Sequence, residues 1–385
     1  MENFRFCVGT EILFGKGQIS HLPEALKKFG NRVLLTYGGG SIKKTGLYDK
    51  VMQLLADFKV FELNGIQPNP RIESVYEGIK ICRDNNIDVI LAVGGGSTID
   101  CSKAIASGYY YEGDAWEMIM NPQTIKKALP ICTILTLAAT GSEMDSAAVI
   151  SNMKNNIKVG FINEHNLPKC SILDPEYTFT VPKNQTAAGT ADIMSHIMEV
   201  YFASQEAYIP DSFNEGMLRA CIKYCPIALQ EPDNYEARAQ LMWCSSLAIN
   251  GIGSTGKPVA WSCHPMEHEL SAFYDITHGV GLAIITPRWM RYILSEKTVD
   301  KFVTFAQNVW GLSHENDKYS LANKGIDALE IFFKRCGIPM TLTELGIDRK
   351  HFKKMAEDAV TLGNLSQAYV PLNVEDVCNI FEMCL

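Results

Sequence analysis

The sequence lacks the segments that mark membrane, secreted and nucleic-acid-binding proteins. No apolar run among its 385 residues approaches the roughly 18 residues of a membrane span. The amino-terminal segment has no basic region leading into an apolar one, so we expect a cytoplasmic protein. Lys and Arg number 35 against 43 Asp and Glu, and a net charge of −8 argues against nucleic acid and anionic membranes as partners.

Several catalytic and structural motifs are also missing. The twelve cysteines include no Cys-x-x-Cys pair, so we expect reduced, mostly buried thiols and no cysteine zinc site. No Gly-x-Ser-x-Gly elbow occurs, which removes the support for a serine hydrolase. In His264-Pro-Met-Glu-His268, the glutamate stands at the wrong position for a His-Glu-x-x-His zinc protease.

Short apolar runs followed by glycine-rich or small-residue turns dominate the first half of the chain. Three of them cover residues 32–37, 88–93 and 130–137. Their alternation with helix-like stretches predicts β-α units on a parallel sheet. Beyond Val181-Pro182, β-branched runs become rare and apolar residues follow helical spacing. We therefore predict an α/β domain over residues 1–182 and an all-α domain over residues 183–385.

Two glycine-rich loops follow predicted strands, at Gly38-Gly-Gly-Ser41 and Gly94-Gly-Gly-Ser97, and a third strand runs into Ala138-Ala-Thr-Gly-Ser-Glu143. Backbone N–H groups in such loops approach phosphate oxygens closely, and a following helix adds positive charge at its N-terminus. Neither glycine loop reads Gly-x-Gly-x-x-Gly, so the loops indicate a nucleotide site unlike the ordinary Rossmann one. Asp100, expected in the first turn of the next helix, either interacts with the helix dipole or holds a ribose or amide group.

Four of the eight histidines lie between residues 192 and 278. Asp192 and His196 are four residues apart, as are His264 and His268, and His278 follows ten residues later. Residues four apart project from one helix face, so each pair is able to bind one ion. Three imidazoles and a carboxylate suit a borderline divalent ion. The alternative is that each histidine is a satisfied core or helix-end residue, but the repeated spacing favours a metal site.

These motifs together resemble the iron-containing alcohol dehydrogenase family over nearly the whole chain. Within that family, residues 37–46 and 91–97 are similar to the branch of NADP-dependent butanol dehydrogenases and broad aldehyde reductases. The resemblance implies a dehydroquinate synthase-like fold, with a dinucleotide-binding α/β domain, a helical metal-binding domain and an active site in the cleft between them. It also implies hydride transfer between NADPH and a small aldehyde such as butanal, giving a primary alcohol.

The resemblance implies specific site residues. It assigns one Fe²⁺ or Zn²⁺ ion to Asp192, His196, His264 and His278. It places His268 near the nicotinamide and substrate, with a role in proton relay or cofactor positioning. The cofactor residues that it implies are Gly38, Gly39, Ser41, Gly94, Gly95, Gly96, Ser97, Asp100, Thr136, Thr140, Ser142 and Lys158. Asp145 departs from the asparagine of some relatives.

Two further expectations concern cofactor choice and assembly. NAD sites usually place a carboxylate on the adenosine ribose, whereas the loop after residues 32–37 has no acidic side chain before Asp49, which predicts a preference for NADPH. Lys43 and Lys44 are either supporting charges or ordinary surface lysines. The apolar segment Thr10-Glu-Ile-Leu-Phe14 predicts an edge strand, and relatives pair such strands, so we expect a homodimer.

The alternatives share the fold or the ligands. A glycerol dehydrogenase or a dehydroquinate synthase has the same architecture, and a metal-dependent hydrolase would use the same four ligands to activate water. The residues near the histidines favour a simple alkyl or aryl aldehyde over a polyol, because they are largely apolar and aromatic. They are Trp243, Trp261, Met266, Phe273 and Tyr274. A non-enzymatic binding protein would not need this set of ligands.

Overall fold

The α/β unit, residues 7–181 and 232–246, is built on a six-stranded sheet. The computed structural model describes residues 1–385, and the strand order is β1-β8-β5-β4-β2-β3 with every neighbouring pair parallel. The strands are β1 (Glu11–Phe14), β2 (Arg32–Tyr37), β3 (Lys59–Leu63), β4 (Val89–Gly94), β5 (Ile131–Leu135) and β8 (Cys170–Leu173). A separate antiparallel hairpin consists of β6 (Ala147–Asn152) and β7 (Ile157–Ile162).

The apolar runs predicted as strands are the inner strands of this sheet. β2 covers the predicted residues 32–37, and β4 and β5 overlap the runs 88–93 and 130–137. Nearly every residue of these three strands is buried, because helices cover both faces, as is usual for parallel sheets. β1 lies at one edge of the same sheet, beside β8, so the edge strand expected in residues 10–14 is present.

Helices cover the sheet and form two apolar cores, one on each face. Leu34 and Ile90 point to the first core, whereas Leu35 and Leu91 point to the second, as strand alternation requires. The helices of the α/β unit are α1 (Leu22–Lys27), α2 (Ser41–Lys44), α3 (Leu47–Leu54), α4 (Ile72–Asn85), α5 (Gly96–Gly108), α6 (Ala115–Met120) and most of α9 (Tyr235–Ile249).

The helical unit comprises residues 1–6, 182–231 and 247–385. Its helices are α7 (Lys183–Tyr201), α8 (Tyr208–Gln230), α10 (Cys263–Tyr274), α11 (His278–Ile293), α12 (Val299–Asn308), α13 (Lys318–Arg335), α14 (Phe352–Leu362) and α15 (Val374–Met383). The side chains of α7 are buried on all sides from Thr186 onwards, which marks it as the central helix. Just beyond its end, Phe202 packs against Phe302 and Trp289 with ring centroids 4.8 and 6.0 Å away.

Each of the two units is made of separate stretches of the sequence. One division falls between Val181 and Pro182, next to the predicted boundary, but residues 1–6 group with the helical unit and residues 232–246 with the α/β unit. We expected two continuous domains, whereas each observed unit is made of more than one segment of the chain. The fold class is the predicted one: a parallel α/β unit and a helical unit. None of the helices has the length and apolar character needed to cross a bilayer.

Candidate metal centre and cofactor loops

Three helices of the helical unit carry the predicted metal ligands. Asp192 and His196 lie one turn apart on α7, His264 lies at the start of α10, and His278 is the first residue of α11. Gly279 fixes the approach of α11 to α7, because a Cβ atom built there would lie 1.9 Å from the carbonyl oxygen of Ala188. The close contact of these two helices therefore depends on a glycine directly beside His278.

The three histidines predicted as ligands converge on a carboxylate oxygen of the fourth, Asp192. Asp192 Oδ1 lies 3.5 Å from His196 Nδ1, 3.8 Å from His264 Nε2 and 3.7 Å from His278 Nε2. A tetrahedral ion with bonds of about 2.1 Å separates its ligand atoms by roughly 3.4 Å, close to these values. The structure thus brings together the four residues that the resemblance assigned to a metal.

The donor set fits a divalent cation. Asp192 Oδ1, His196 Nδ1 and His264 Nε2 are buried and have no hydrogen-bond partner. Buried polar atoms without partners are costly, and three of them facing one point are explained by an ion that all three bind. Three imidazole nitrogens and one carboxylate oxygen suit Fe²⁺ or Zn²⁺ better than Mg²⁺ or Ca²⁺, which prefer oxygen ligands.

The pKa shifts of Asp192 and His196 match that use. Burial alone would raise the pKa of Asp192, but its electrostatic interactions with the imidazoles of His196, His264 and His278 bring it below its ordinary value, so the carboxylate stays ionised. Burial lowers the pKa of His196 to about 3, which keeps its imidazole neutral as a metal ligand must be.

Two glutamates that the sequence analysis did not assign hold the ligand imidazoles from behind. Glu199 Oε1 lies 3.0 Å from Nδ1 of His264, and Glu267 hydrogen-bonds to Nδ1 of His278 through Oε2. With Nδ1 of each ring held by a carboxylate, Nε2 is the nitrogen left to face the ion. Glu199 lies seven residues after Asp192 on α7, so helical spacing was a signal available in the sequence.

Glu199 also caps α10. Its carboxylate accepts hydrogen bonds from the backbone N–H groups of Ser262, Cys263 and His264, at 2.7, 2.7 and 2.8 Å. The first N–H groups of a helix have no partner within the helix, so a carboxylate from α7 satisfies them here. One side chain therefore fixes both the start of α10 and the imidazole of its first predicted ligand.

His268 lies one turn beyond His264 on α10 and is half-buried. Its ring centroid is 5.6 Å from that of His278 and 6.4 Å from that of His264. Its ligand atom falls in a group with Glu267 and His278 rather than with the buried Asp192, His196 and His264 group. His268 therefore lies beside His278 and His264, and its role stays a prediction.

The apolar residues predicted near the histidines differ in their ring contacts. Trp261 packs edge-on against His264 and His196, with centroids 4.7 and 5.7 Å away. Phe273 and Tyr274 instead contact the ring of His351. Met266 is fully buried, and Trp243 belongs to the α/β unit, where it packs against Phe14. Of this set, Trp261 is the residue whose ring packs against predicted metal ligands.

In the α/β unit, the predicted loop at residues 94–97 spans the junction of β4 and α5 at the carboxyl end of the sheet: Gly94 ends the strand, and Gly96 and Ser97 begin the helix. The backbone there is closely approached, since a Cβ on Gly96 would lie 2.3 Å from Oγ1 of Thr140 and one on Gly95 would lie 3.2 Å from Leu137. Thr136 joins the same region by donating its backbone N–H to the oxygen of Gly94 at 3.0 Å. A glycine loop at the N-terminus of a 13-residue helix fits the phosphates of a dinucleotide.

Asp100 lies in the second turn of α5, not in the first as the sequence suggested, because the helix begins at Gly96. Its oxygens accept hydrogen bonds from Oγ of Ser142 at 2.6 Å and from the backbone N–H of Val149 at 2.9 Å. Burial raises the pKa of Asp100 to about 6. The structure thus links Asp100 and Ser142 to each other, and their contact with a cofactor stays a prediction.

The other predicted cofactor residues lie in two places. Gly39 is exposed, and a Cβ added there meets nothing within 4 Å, so the loop at residues 38–41 leaves open space beside its backbone. Lys158 lies on β7 of the hairpin, opposite Ser151, and is 4% exposed. Asp145 accepts a hydrogen bond from the buried Lys103 at 2.6 Å.

Comparison with known proteins finds similar proteins along nearly the whole chain. A sequence model described as "Iron-containing alcohol dehydrogenase" matches residues 9–175, and one described as "Fe-containing alcohol dehydrogenase family, C-terminal" matches residues 186–385. The chain is 55% identical to the NADH-dependent butanol dehydrogenase A of Clostridium acetobutylicum, covering 99% of both chains. It is 38% identical to the NADPH-dependent aldehyde reductase YqhD of Escherichia coli, covering 94% of this chain and 95% of that one.

A solved structure shows the same architecture. The crystal structure of NADH-dependent butanol dehydrogenase A from Thermotoga maritima has a TM-score of 0.95 and 39% sequence identity, covering 100% of this chain and 99% of that one. Both the α/β unit and the helical unit therefore have a counterpart in a protein of that name.

Proposed function

Because the chain belongs to the iron-containing alcohol dehydrogenase family, we propose that it interconverts a small aldehyde such as butanal and the primary alcohol, using NADPH or NADP⁺ and one divalent metal ion. The observation that carries the proposal is the convergence of three imidazoles on Asp192 Oδ1, where three buried polar atoms have no hydrogen-bond partner. The family assignment makes the protein an oxidoreductase with a nicotinamide cofactor, and the substrate is the finer part of the proposal.

Asp192, His196, His264 and His278 would hold the ion, which would supply Lewis acidity when bound, and the nicotinamide cofactor would supply or accept the hydride. Glu199 and Glu267 hydrogen-bond to Nδ1 of His264 and His278 and so orient the imidazoles of these two residues. The edge-on ring of Trp261 lines the ligand side chains with apolar surface. A small alkyl aldehyde suits such surroundings better than a polyol.

We assign His268 the handling of the proton at the substrate oxygen, or the positioning of the cofactor. Support comes from its place one turn from His264 and beside His278, outside the group formed by Asp192, His196 and His264. An imidazole titrates near neutral pH and is suited to passing a proton in both directions.

The choice of NADPH is a separate proposal. The loop at residues 38–41 has open space at Gly39 and no acidic side chain of its own. The relatives are named for different cofactors, since the Clostridium protein is called NADH-dependent and the Escherichia protein is called NADPH-dependent. The ratio of kcat/KM for the two cofactors, measured on the wild-type protein, tests this proposal directly.

A homodimer is also proposed, on the basis of the edge strand β1 beside β8. Light scattering at micromolar protein concentration tests it, and a monomeric mass would contradict it.

The central experiment combines metal content with turnover. Protein stripped of metal should show no NADPH oxidation with butanal at 340 nm and should recover it with one equivalent of Fe²⁺ under anaerobic conditions or of Zn²⁺. His264→Ala and His278→Ala should lose both metal and turnover, because three ligands bind an ion less tightly than four. His165→Ala, a change to an exposed histidine of the α/β unit, is the matched control. Full metal content and full turnover in the folded ligand variants would contradict the proposal.

A further inference from the structure

The structure places an unassigned group of charged and aromatic side chains beside the loop at residues 38–41. The hydroxyl of Tyr37 donates to Glu62 Oε2 at 2.6 Å, and that of Tyr48 donates to Glu62 Oε1 at 2.9 Å. The ammonium of Lys43 lies over the same two rings, 5.2 Å from the centroid of Tyr37 and 4.6 Å from that of Tyr48. We call these four residues the Lys43 cluster.

Backbone hydrogen bonds connect this cluster to the glycine loop. The chain leaving β3, just beyond Glu62, donates from Gly65 N to Gly38 O at 3.2 Å and from Ile66 N to Tyr37 O at 3.3 Å. Lys43 lies in α2, which follows the same loop, and its backbone N–H donates to Gly40 O at 3.1 Å. The ammonium of Lys43 and the carboxylate of Glu62 therefore both lie near the end of β2, on segments that backbone hydrogen bonds hold beside the glycine loop.

The Lys43 cluster contains two side chains with opposite preferences, a lysine that favours NADPH and a glutamate that favours NADH. A 2′-phosphate is favoured by a cation that donates to its oxygens, whereas a carboxylate accepts from the free ribose hydroxyl and repels the phosphate. The sequence near the loop does not reveal this carboxylate, because Glu62 lies on β3, more than twenty residues after the loop. Lys43 and Glu62 are both exposed, so both are accessible to a bound nucleotide.

We propose that the Lys43 cluster is where this enzyme reads the adenosine 2′ position: Lys43 binds the 2′-phosphate of NADPH, and Glu62 weakens that binding and so limits the discrimination against NADH. The two tyrosines hold both side chains in place. This inference rests on the proposed function, since it requires a nicotinamide cofactor at the glycine loops. It adds a specificity role for Glu62 and Lys43.

The test measures binding rather than turnover. Dissociation constants for NADPH, NADH, adenosine 2′,5′-bisphosphate and 5′-AMP are determined by calorimetry or fluorescence titration on wild type, Lys43→Met, Lys44→Met and Glu62→Gln. Lys43→Met should weaken NADPH and the bisphosphate by roughly tenfold, as expected for loss of one charge-assisted contact, and leave NADH and AMP within about twofold. Lys44→Met is the matched control, because it removes the same charge one residue further along α2 and should weaken NADPH less than about threefold.

Glu62→Gln should strengthen NADPH and bisphosphate binding by several-fold while NADH changes little or weakens, because the repulsion of the phosphate is removed. Lys43→Arg should retain wild-type selectivity, and Lys43→Met should flatten the decline of NADPH affinity with added salt. Equal effects of Lys43→Met on NADPH and NADH, or an equal loss in Lys44→Met, would overturn the role of Lys43. An unchanged NADPH to NADH ratio in Glu62→Gln would overturn the role of Glu62.

The same titrations separate this inference from the proposed function. Wild-type protein that binds neither dinucleotide would contradict both. Wild-type protein that binds both dinucleotides, with an affinity ratio that Lys43→Met and Glu62→Gln leave unmoved, would contradict the inference alone.

Discussion

Glu199 provides the sharpest test of how this fold builds its metal centre. Its carboxylate contacts four N–H or imidazole groups, namely three backbone N–H groups at the start of α10 and Nδ1 of His264. Glu199→Gln keeps the size of the side chain, but replaces one acceptor oxygen by an amide group and removes the negative charge. The change should therefore act on two quantities together, the affinity for the metal and the stability of the helical unit.

Both magnitudes follow from the contacts. Loss of a carboxylate behind a ligand imidazole typically costs about 10- to 100-fold in metal affinity, which is about 1.4 to 2.7 kcal/mol. The backbone N–H of Ser262, which donates to Oε2, loses its acceptor if the amide nitrogen takes that place, and an unsatisfied buried donor costs about 1–3 kcal/mol. Glu199→Ala removes all four contacts and should be more severe in both respects.

The assay is competition for the metal with a chelator of known affinity, together with the melting temperature of the metal-free protein. Glu236→Gln, on the exposed face of α9, is the matched control and should leave both values near wild type. Glu199→Asp should restore part of the metal affinity, because it keeps the charge. If Glu199→Gln bound metal as tightly as wild type and melted at the same temperature, the carboxylate would not be orienting His264.

Four further outcomes are expected. His268→Ala should keep its full metal content while kcat falls by about 10²- to 10⁴-fold, and loss of metal instead would make His268 a ligand. Gly279→Ala should lower the melting temperature and the metal affinity, because its Cβ overlaps the carbonyl of Ala188, and normal values would show that α11 shifts without cost. Gly39→Asp should lower kcat/KM for NADPH by roughly one to two orders of magnitude and affect NADH much less, whereas Gly39→Asn should not. Burial raises the pKa of Glu143 from 4.5 to about 7, so the free energy of unfolding is highest below pH 4.5 and falls as the pH rises to 7, where the folded protein loses this proton. Glu143→Gln should therefore raise the melting temperature more at pH 8 than at pH 5, and an equal change at both pH values would refute this.

The main outline of the fold was accessible from the sequence because it depends on local patterns. Apolar runs ending at glycine predicted β2 and β4, since a strand buried on both faces needs apolar residues throughout. The same holds for the pair Asp192 and His196, whose spacing of four places both side chains on one face of any helix. These features require no knowledge of what packs against them.

The position of Asp100 shows where local reasoning stopped. The sequence predicted a helix after the loop at residues 94–97, but it did not predict the first residue of that helix. Because the helix begins at Gly96, Asp100 lies in its second turn. Its partners Ser142 and Val149 come from segments more than forty residues away, so only the folded chain determined which atoms its carboxylate binds.

The sequence by itself determined the alternation of strands and helices around β2, β4 and β5, the spacing of the histidine pairs and the glycine-rich segments, because each depends on neighbouring residues. Only the tertiary structure decided that Glu199 and Glu267 hold the imidazoles, and that Glu62 stands beside a loop whose own sequence contains no acid. A carboxylate acts over a few ångströms of space and not along the chain. Its partner is therefore chosen by the packing of α7 against α10, or of β3 beside β2, which no local pattern specifies.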